Sequence, residues 1–247
     1  MWLDRLVVLP ERGIPEPPPG VADRWLTTRD GVRLHAWYVA APRPSTMLVW
    51  SHGNAGNIAS RVDIARALAA RGLDVLAYDY RGYGRSDGRP SEAGVYLDAE
   101  AAYDHARASG LPVLGFGESL GGAVTIQLAT VRPCAGVAVL STWTTLQDVA
   151  RRHYGPLAAL VGNRFDSLAR ISTVSVPVLV AHGDADEIVP FELGERLFAA
   201  ARQPKRFLRV AGAGHNDVFE RTSVLDAVAE LAATVCTPAE TRGNPRP

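Results

Sequence analysis

Short apolar runs alternate along the chain with longer amphipathic segments. The continuous apolar runs that begin at Thr46 and Ala135 are typical of strands covered on both faces of a sheet. Between such runs, apolar residues recur at spacings of three and four, as in Ile58, Val62 and Ala65, which predicts helices. This alternation predicts an α/β fold, with a mostly parallel central sheet of about eight strands and helices on both faces.

One segment interrupts the alternation. Residues 141–175 are predicted to form one or two short helices, too little for a separate lid domain. We therefore expect a single domain over residues 1–247, with its core at about 23–235 and a minimal cap. The tails "PEPPPG" and "TPAETRGNPRP" are expected to be irregular and exposed. The predicted strands begin at Arg33, Thr46, Leu73, Pro112, Ala135, Val176 and Lys205.

The composition excludes several classes of function. Lys and Arg together number 26 and so do Asp and Glu, so a net charge of zero gives no electrostatic basis for binding nucleic acid. No apolar run is long enough to span a membrane, and the start "MWLDRLVVLPER" has too short an apolar core for a signal peptide. The two cysteines, Cys134 and Cys236, suit neither a disulfide framework nor a zinc site. We expect a cytoplasmic protein without a metal or cofactor, and the oligomeric state stays open.

A serine stands at the centre of the motif GESLG, residues 117–121, between a predicted strand and a predicted helix. Such a tight turn strains the backbone of Ser119 and projects its Oγ above the sheet, where the helix N-terminus also points. A capping serine in a glycine-rich turn is the ordinary alternative, but the strand–turn–helix context favours a nucleophile. A dinucleotide site is disfavoured, because several strands precede the glycines and the next strand, AGVAVLS, contains no acid.

A serine nucleophile needs a base and an orienting acid, which follow it in the order Asp or Glu, then His. His215, in "AGAGHND" just past the last predicted strand, is the predicted base. His153 is expected on the surface, and His182 precedes the acid and is expected to fix its turn. In "HGDADEIVP" the pattern of HG, two residues, then Asp favours Asp186 as the acid over the alternative, Asp184. Asp184 is expected to form the turn by a hydrogen bond to its own backbone.

The remaining parts of the predicted site are backbone donors and a pocket. Leu120 and Asn54, in the loop "SHGNAGN", are predicted to donate their backbone N–H groups to an oxyanion, with Ala55 the alternative to Asn54. A phosphate-binding turn is disfavoured for this loop, because no Lys follows in the required register. The candidates for a substrate pocket, each equally explained by ordinary packing, are Trp143, Tyr83, Ile188, Val189 and Phe219.

Five stretches, in order, resemble the α/β-hydrolase superfamily: "SHGNAGN", "YDYRGYGRSDGRPSEAGVYLDAEAAYDH", "GFGESLGG", "HGDADEIVPF" and "GAGHND". They are similar to the lidless serine hydrolases that include eukaryotic protein depalmitoylases and related bacterial esterases. The resemblance implies Ser119 as nucleophile, Asp186 and His215 as its partners, and Asp79 and Arg81 as braces of a turn.

The resemblance implies a serine hydrolase that cleaves small-molecule carboxylic esters or thioesters through an acyl-enzyme. A peptidase or a cofactor-free haloperoxidase with the same triad is the alternative among enzymes. A non-catalytic binding module on a hydrolase scaffold is the alternative outside them.

Overall fold

One eight-stranded sheet organises the computed structural model, which describes residues 10–236. The strands are β1 (Val21–Thr27), β2 (Arg33–Val39), β3 (Thr46–Ser51), β4 (Leu73–Tyr78), β5 (Val113–Glu118), β6 (Gly136–Leu140), β7 (Val178–Gly183) and β8 (Lys205–Val210). Their order in the sheet is β1-β2-β4-β3-β5-β6-β7-β8. Strand β2 runs antiparallel to β1 and β4, and the other neighbours run parallel. The prediction of a mostly parallel sheet of about eight strands is therefore confirmed.

Helices cover both faces of the sheet, as the sequence predicts. In the part of the chain that the structure describes, the α-helices are α1 (Val62–Ala69), α2 (Glu92–Arg107), α3 (Leu120–Val131), α4 (Leu146–Tyr154), α5 (Ser167–Ile171), α6 (Phe191–Ala200) and α7 (Thr222–Cys236). Helices α1 and α7 pack on one face, and α2, α3, α5 and α6 pack on the other. Single 3-10 turns span Ile58–Arg61, Gly155–Leu160 and Val218–Glu220.

The central strands are apolar on both sides because each side faces a helix layer. In β3, Leu48 and Trp50 join the core under α1 and α7, whereas Met47 and Val49 join the core under α2 and α3. Alternate side chains of a strand point to opposite faces, so a continuous apolar run is what two buried faces require.

Strand β1 is the element that the sequence prediction missed. It is an edge strand, most of its residues are half-buried or exposed, and it pairs only with β2 within the described residues. Its polar residues Asp23 and Arg24 interrupt the apolar pattern, because an edge strand need bury only part of its surface.

The segment over residues 141–175 forms two short helices, α4 and α5, joined through a 3-10 turn, which confirms the predicted short helices. The stretch "PEPPPG" has no regular helix or strand, as predicted, and the tail "TPAETRGNPRP" lies outside the described residues. Among residues 10–236, every helix is too short or too polar to cross a membrane.

Candidate active site

Ser119 occupies a sharp turn between β5 and α3. Its φ of 52° and ψ of −118° place it in a region that residues other than glycine rarely adopt. Hydrogen bonds fix this conformation: the Ser119 N–H donates to Leu140 O at 2.9 Å, and Ser119 O accepts from Gly122 N at 3.0 Å and from Thr142 Oγ1 at 2.8 Å. Three hydrogen bonds, to β6, to the residue Thr142 after β6 and to α3, therefore stabilise the strained conformation of Ser119.

The glycines of the turn allow backbone to pack directly on backbone. A Cβ added to Gly117 would lie 2.1 Å from Gly121 O, and one added to Gly121 would lie 1.8 Å from Ser51 O. The turn therefore closes tightly on itself and against the end of β3, which brings the loop after β3 beside Ser119.

His215 links Ser119 to Asp186. Its Nε2 lies 3.0 Å from Ser119 Oγ, and its Nδ1 lies 2.8 Å from Asp186 Oδ2. An ionised carboxylate only accepts hydrogen bonds, so Nδ1 carries the proton in the neutral ring and Nε2 accepts from the serine hydroxyl. The structure thus brings together the three residues that the sequence singled out.

Asp186 is fully buried and surrounded by donors. Its Oδ1 accepts the backbone N–H groups of Ile188 at 3.0 Å and Val189 at 2.8 Å, and its Oδ2 lies 3.3 Å from His182 Nε2. Burial alone would raise the pKa of Asp186, but hydrogen bonds from His182 and His215 outweigh it and lower that pKa well below its ordinary value. The carboxylate therefore stays ionised and fixes the orientation of the imidazole.

His182 and Asp184 stabilise the turn that carries Asp186 in different ways. His182 is buried and donates from Nε2 to Val189 O at 3.0 Å, so it holds the turn that carries Asp186. Asp184 accepts from Gly212 N at 2.7 Å and from Arg209 Nε at 2.9 Å. It thereby ties the turn after β7 to β8 and to the turn that follows β8.

The loop after β3 is held from below by tyrosines of the loop after β4. Tyr80 Oη donates to His52 O at 2.8 Å, and Tyr83 Oη donates to Asn54 O at 2.9 Å. Burial lowers the pKa of His52 to about 4, so its ring is neutral, and its Nδ1 donates to Gly53 O at 2.7 Å. These contacts fix the path of the peptides that carry the predicted oxyanion donors.

The loop after β4 is braced by the two charged residues that the resemblance points to. Arg81 donates to Asp98 at 2.9 Å and to Asp30 at 2.8 Å. Asp79 Oδ1 accepts from Ile58 N at 3.0 Å, at the start of the 3-10 turn that follows the loop after β3. Both side chains contact protein groups beneath the site and lie outside the Ser119–His215–Asp186 network.

Comparisons with known proteins show the family of this chain. The family model "Hydrolase_4: Serine aminopeptidase, S33" matches residues 42–170. An uncharacterized protein of Mycobacterium tuberculosis is 41% identical over 241 residues, which cover 91% of this chain and 85% of that protein. The chain belongs to the α/β-hydrolase superfamily. "Alpha/beta hydrolase domain-containing protein 17C" of Mus musculus is 35% identical over 202 residues, which cover 78% of this chain and 61% of that protein.

Solved structures show the same fold for this α/β-hydrolase. The Pyrococcus furiosus esterase Pf2001 superposes with a TM-score of 0.77 at 18% identity, covering 94% of this chain and 98% of that one. The α/β-hydrolase GrgF from Penicillium sp. sh18 superposes with a TM-score of 0.74 at 20% identity, covering 87% and 99%. At these identities the likeness establishes the fold.

Above Ser119 the hydrolase has an open cavity of about 320 Å³ with mostly apolar walls. Leu146 and Val149, from α4, form part of the wall. They were missed in the prediction from sequence, because an amphipathic pattern identifies the apolar face of a helix but not the part of the protein that this face packs against. Within the described residues, no group of three His, Cys, Asp or Glu side chains is arranged to hold a metal ion. The predicted site residues that line the cavity are Ser119, His215, Asn54, Leu120, Trp143, Ile188, Val189 and Phe219.

Two predicted site residues, Tyr83 and Asp186, do not line the cavity, and neither does His153, which was expected on the surface. Tyr83, a predicted pocket residue, is fully buried, and its ring packs 5.2 Å from that of His52 beneath the loop, so its assignment to the pocket was wrong. Asp186 lies behind His215 and contacts its Nδ1, a position compatible with the predicted orienting role. His153 is exposed, as predicted, and its Nε2 lies 2.9 Å from Ile188 O.

Proposed function

We propose that this hydrolase cleaves carboxylic ester or thioester bonds of small molecules through an acyl-enzyme on Ser119. The unbroken line of hydrogen bonds from Ser119 Oγ through His215 to Asp186, at the floor of an open cavity, is the observation that carries the proposal. A strained serine with its base and acid in reach is the arrangement that activates a hydroxyl for acyl transfer.

Each group has a defined part in the proposed reaction. His215 Nε2 takes the hydroxyl proton as Ser119 Oγ attacks the carbonyl carbon, and ionised Asp186 stabilises the imidazolium that forms. Leu120 is the first residue of α3, so its N–H has no acceptor within the helix and is available to the oxyanion, with the Asn54 N–H as the second donor. His215 then protonates the leaving alcohol or thiol, and a water repeats the cycle on the acyl-enzyme.

The cavity wall favours an ester with an apolar acyl group. Trp143, Leu146, Val149 and Phe219 present apolar surface near the nucleophile. The family description names an aminopeptidase, and such an enzyme needs an acidic group free to bind the substrate's amino group. Glu118 is the carboxylate in this wall, and it is already paired with Arg61 at 2.9 Å. Ester or thioester cleavage is therefore the better proposal.

A fluorophosphonate probe and a chain-length series of p-nitrophenyl esters test this proposal. Wild type should be labelled and should turn over esters, and Ser119→Ala should lose both. His215→Ala should lose turnover, whereas His105→Ala, which removes an exposed histidine of α2, should behave like wild type. Equal labelling of Ser119→Ala, or wild-type turnover in His215→Ala, would refute the assignment. Faster turnover of aminoacyl p-nitroanilides than of every ester would favour the peptidase.

A further inference from the structure

A buried ion pair stands in the cavity wall beside the nucleophile. Arg61 Nε lies 2.9 Å from Glu118 Oε1, and the two side chains are only 11% and 5% exposed. Glu118 is the last residue of β5 and directly precedes Ser119, while Arg61 ends the 3-10 turn that follows the loop after β3. The pair therefore joins the two chain segments that carry the proposed oxyanion donors.

Both partners also hold the loop itself. Glu118 Oε1 accepts from Gly53 N at 3.3 Å, and Arg61 Nη1 donates to Asn57 O at 3.1 Å. The ion pair thus contacts the loop at Gly53, its second residue, and at Asn57, its last residue, with Asn54 between them. The position of a Cβ on Gly53 would be 3.6 Å from Arg61 Nη2 and 3.7 Å from Ser119 Cβ, so guanidinium, loop and nucleophile meet at one point.

The charges of the pair matter for the proposed reaction. Acyl transfer creates a negative oxygen close to Ser119, and an unneutralised carboxylate on the preceding residue would oppose it in a site of low dielectric constant. Removing one partner of a buried ion pair leaves the other charge uncompensated. Arg61 therefore has two effects that favour the reaction: it neutralises Glu118, and it fixes the loop that bears the second donor.

We propose that Arg61 and Glu118 are positioning residues of the oxyanion hole, which hold the Asn54 peptide against the turn that carries Ser119. This inference rests on the proposed serine hydrolase function. It assigns a role to the residue before the nucleophile and to one outside the Ser119–His215–Asp186 network. A pair that served only to stabilise the fold would affect thermal unfolding and leave the chemical step of a folded enzyme unchanged.

The test compares kcat and KM of variants on p-nitrophenyl butyrate. Arg61→Met should lower kcat by about 10-fold or more, in line with the loss of oxyanion stabilisation, and leave KM within about twofold of wild type. Glu118→Ala, which removes the partner of Arg61 and the acceptor of the Gly53 N–H, should lower kcat, and Glu118→Gln, whose amide oxygen still accepts these hydrogen bonds, should restore it to within a few-fold of wild type. The double variant Arg61→Met with Glu118→Gln should have a higher kcat than Arg61→Met alone, because it lacks the uncompensated carboxylate of Glu118. Arg132→Met, which breaks the surface pair with Asp104, is the matched control and should leave kcat unchanged.

Thermal unfolding of every variant separates folding from chemistry. If Arg61→Met does not fold, Arg61→Lys decides, since an ammonium keeps the charge but cannot contact Glu118 and Asn57 together as the guanidinium does, so a lower kcat is again expected. Arg61 variants with wild-type kcat, or a double variant no faster than Arg61→Met, would overturn the inference while wild-type turnover still supports the proposed function. Failure of wild type itself to react with fluorophosphonate or ester would overturn both.

Discussion

Gly121, the last residue of the GESLG turn, leaves no room for a side chain between α3 and the end of β3. A Cβ at this position would lie 1.8 Å from Ser51 O and 2.7 Å from His52 O, and both oxygens belong to the backbone. Real Cβ atoms stay at least 3.0 Å from other heavy atoms, so Gly121→Ala must force the two segments apart by roughly 1 Å. A rotamer change cannot relieve this contact, because no side chain is involved.

The cost follows from the kind of atoms that must move. Overpacking a core in which side chains can adjust costs about 1–3 kcal/mol, and here the backbone must yield, so we expect about 3 kcal/mol or more. For a domain of this size that corresponds to a fall in Tm of about 6–12 °C. Ser51 precedes the loop that carries Asn54, and Gly121 follows Leu120, so the displacement should also separate the two proposed oxyanion donors and lower kcat by more than about 10-fold.

Circular dichroism melting and p-nitrophenyl ester turnover measure the two effects. Gly110→Ala is the control, because a Cβ on Gly110 has no atom within 4 Å and its φ of +77° costs only about 1–2 kcal/mol of backbone strain. If Gly121→Ala melts no lower than Gly110→Ala and retains wild-type kcat, the contact between α3 and β3 does not constrain the site, and the reasoning is refuted.

Three further predictions concern Asp186 and the two cysteines. Asp186→Asn should lower kcat about a thousandfold or more and Asp184→Asn only a few-fold, as measured with p-nitrophenyl esters; the reverse order would make Asp184 the orienting acid. The pKa of Asp186 is held below its ordinary value of 3.8, so the ionised carboxylate stabilises the fold above about pH 4 and loses this effect as the pH falls further. Urea unfolding should therefore show a weaker loss of stability below about pH 4 in Asp186→Asn, and identical slopes would contradict this. Burial raises the pKa of Cys134 to about 12, so a thiol reagent should react with Cys236 in the native protein and with Cys134 only on unfolding; two fast thiols in native protein would contradict the burial.

The meeting of the three proposed catalytic residues could be predicted because each follows a strand of one parallel sheet. Ser119 follows β5, Asp186 comes in the turn after β7, and His215 comes in the turn after β8. The carboxyl ends of parallel strands lie along the same edge, so a residue's place just after a strand already assigns it to that edge. The order of the elements along the chain therefore carried most of the information about this part of the site.

Contacts between loops could not be predicted in the same way. Tyr83 follows a strand and was expected in the pocket, yet its hydroxyl donates to Asn54 O, 29 positions earlier in the chain, and its ring is buried. Arg61 and Glu118 are in contact although they lie 57 positions apart, and Glu118 occupies a position of the G-x-S-x-G motif at which the motif allows any residue type. Such contacts depend on how two irregular segments pack against each other, and the periodic patterns that predict helices and strands contain no information about this packing.

The proposed catalytic residues and the apolar wall of the cavity are held by different parts of the structure. Ser119 is fixed by bonds to Leu140 and Thr142, and the loop with Asn54 is fixed by two tyrosines and the Arg61–Glu118 pair. Much of the apolar wall comes instead from Trp143, Leu146 and Val149, which lie in the segment after β6 that contains α4 and are not part of the sheet. We expect a change in that wall to alter which acyl group the proposed enzyme accepts and to leave the hydrogen bonds around Ser119 intact. Under the proposed function we therefore expect a different substrate preference to follow from changes in residues 141–175 or in Ile188, Val189 and Phe219, and not from changes in the turn after β5.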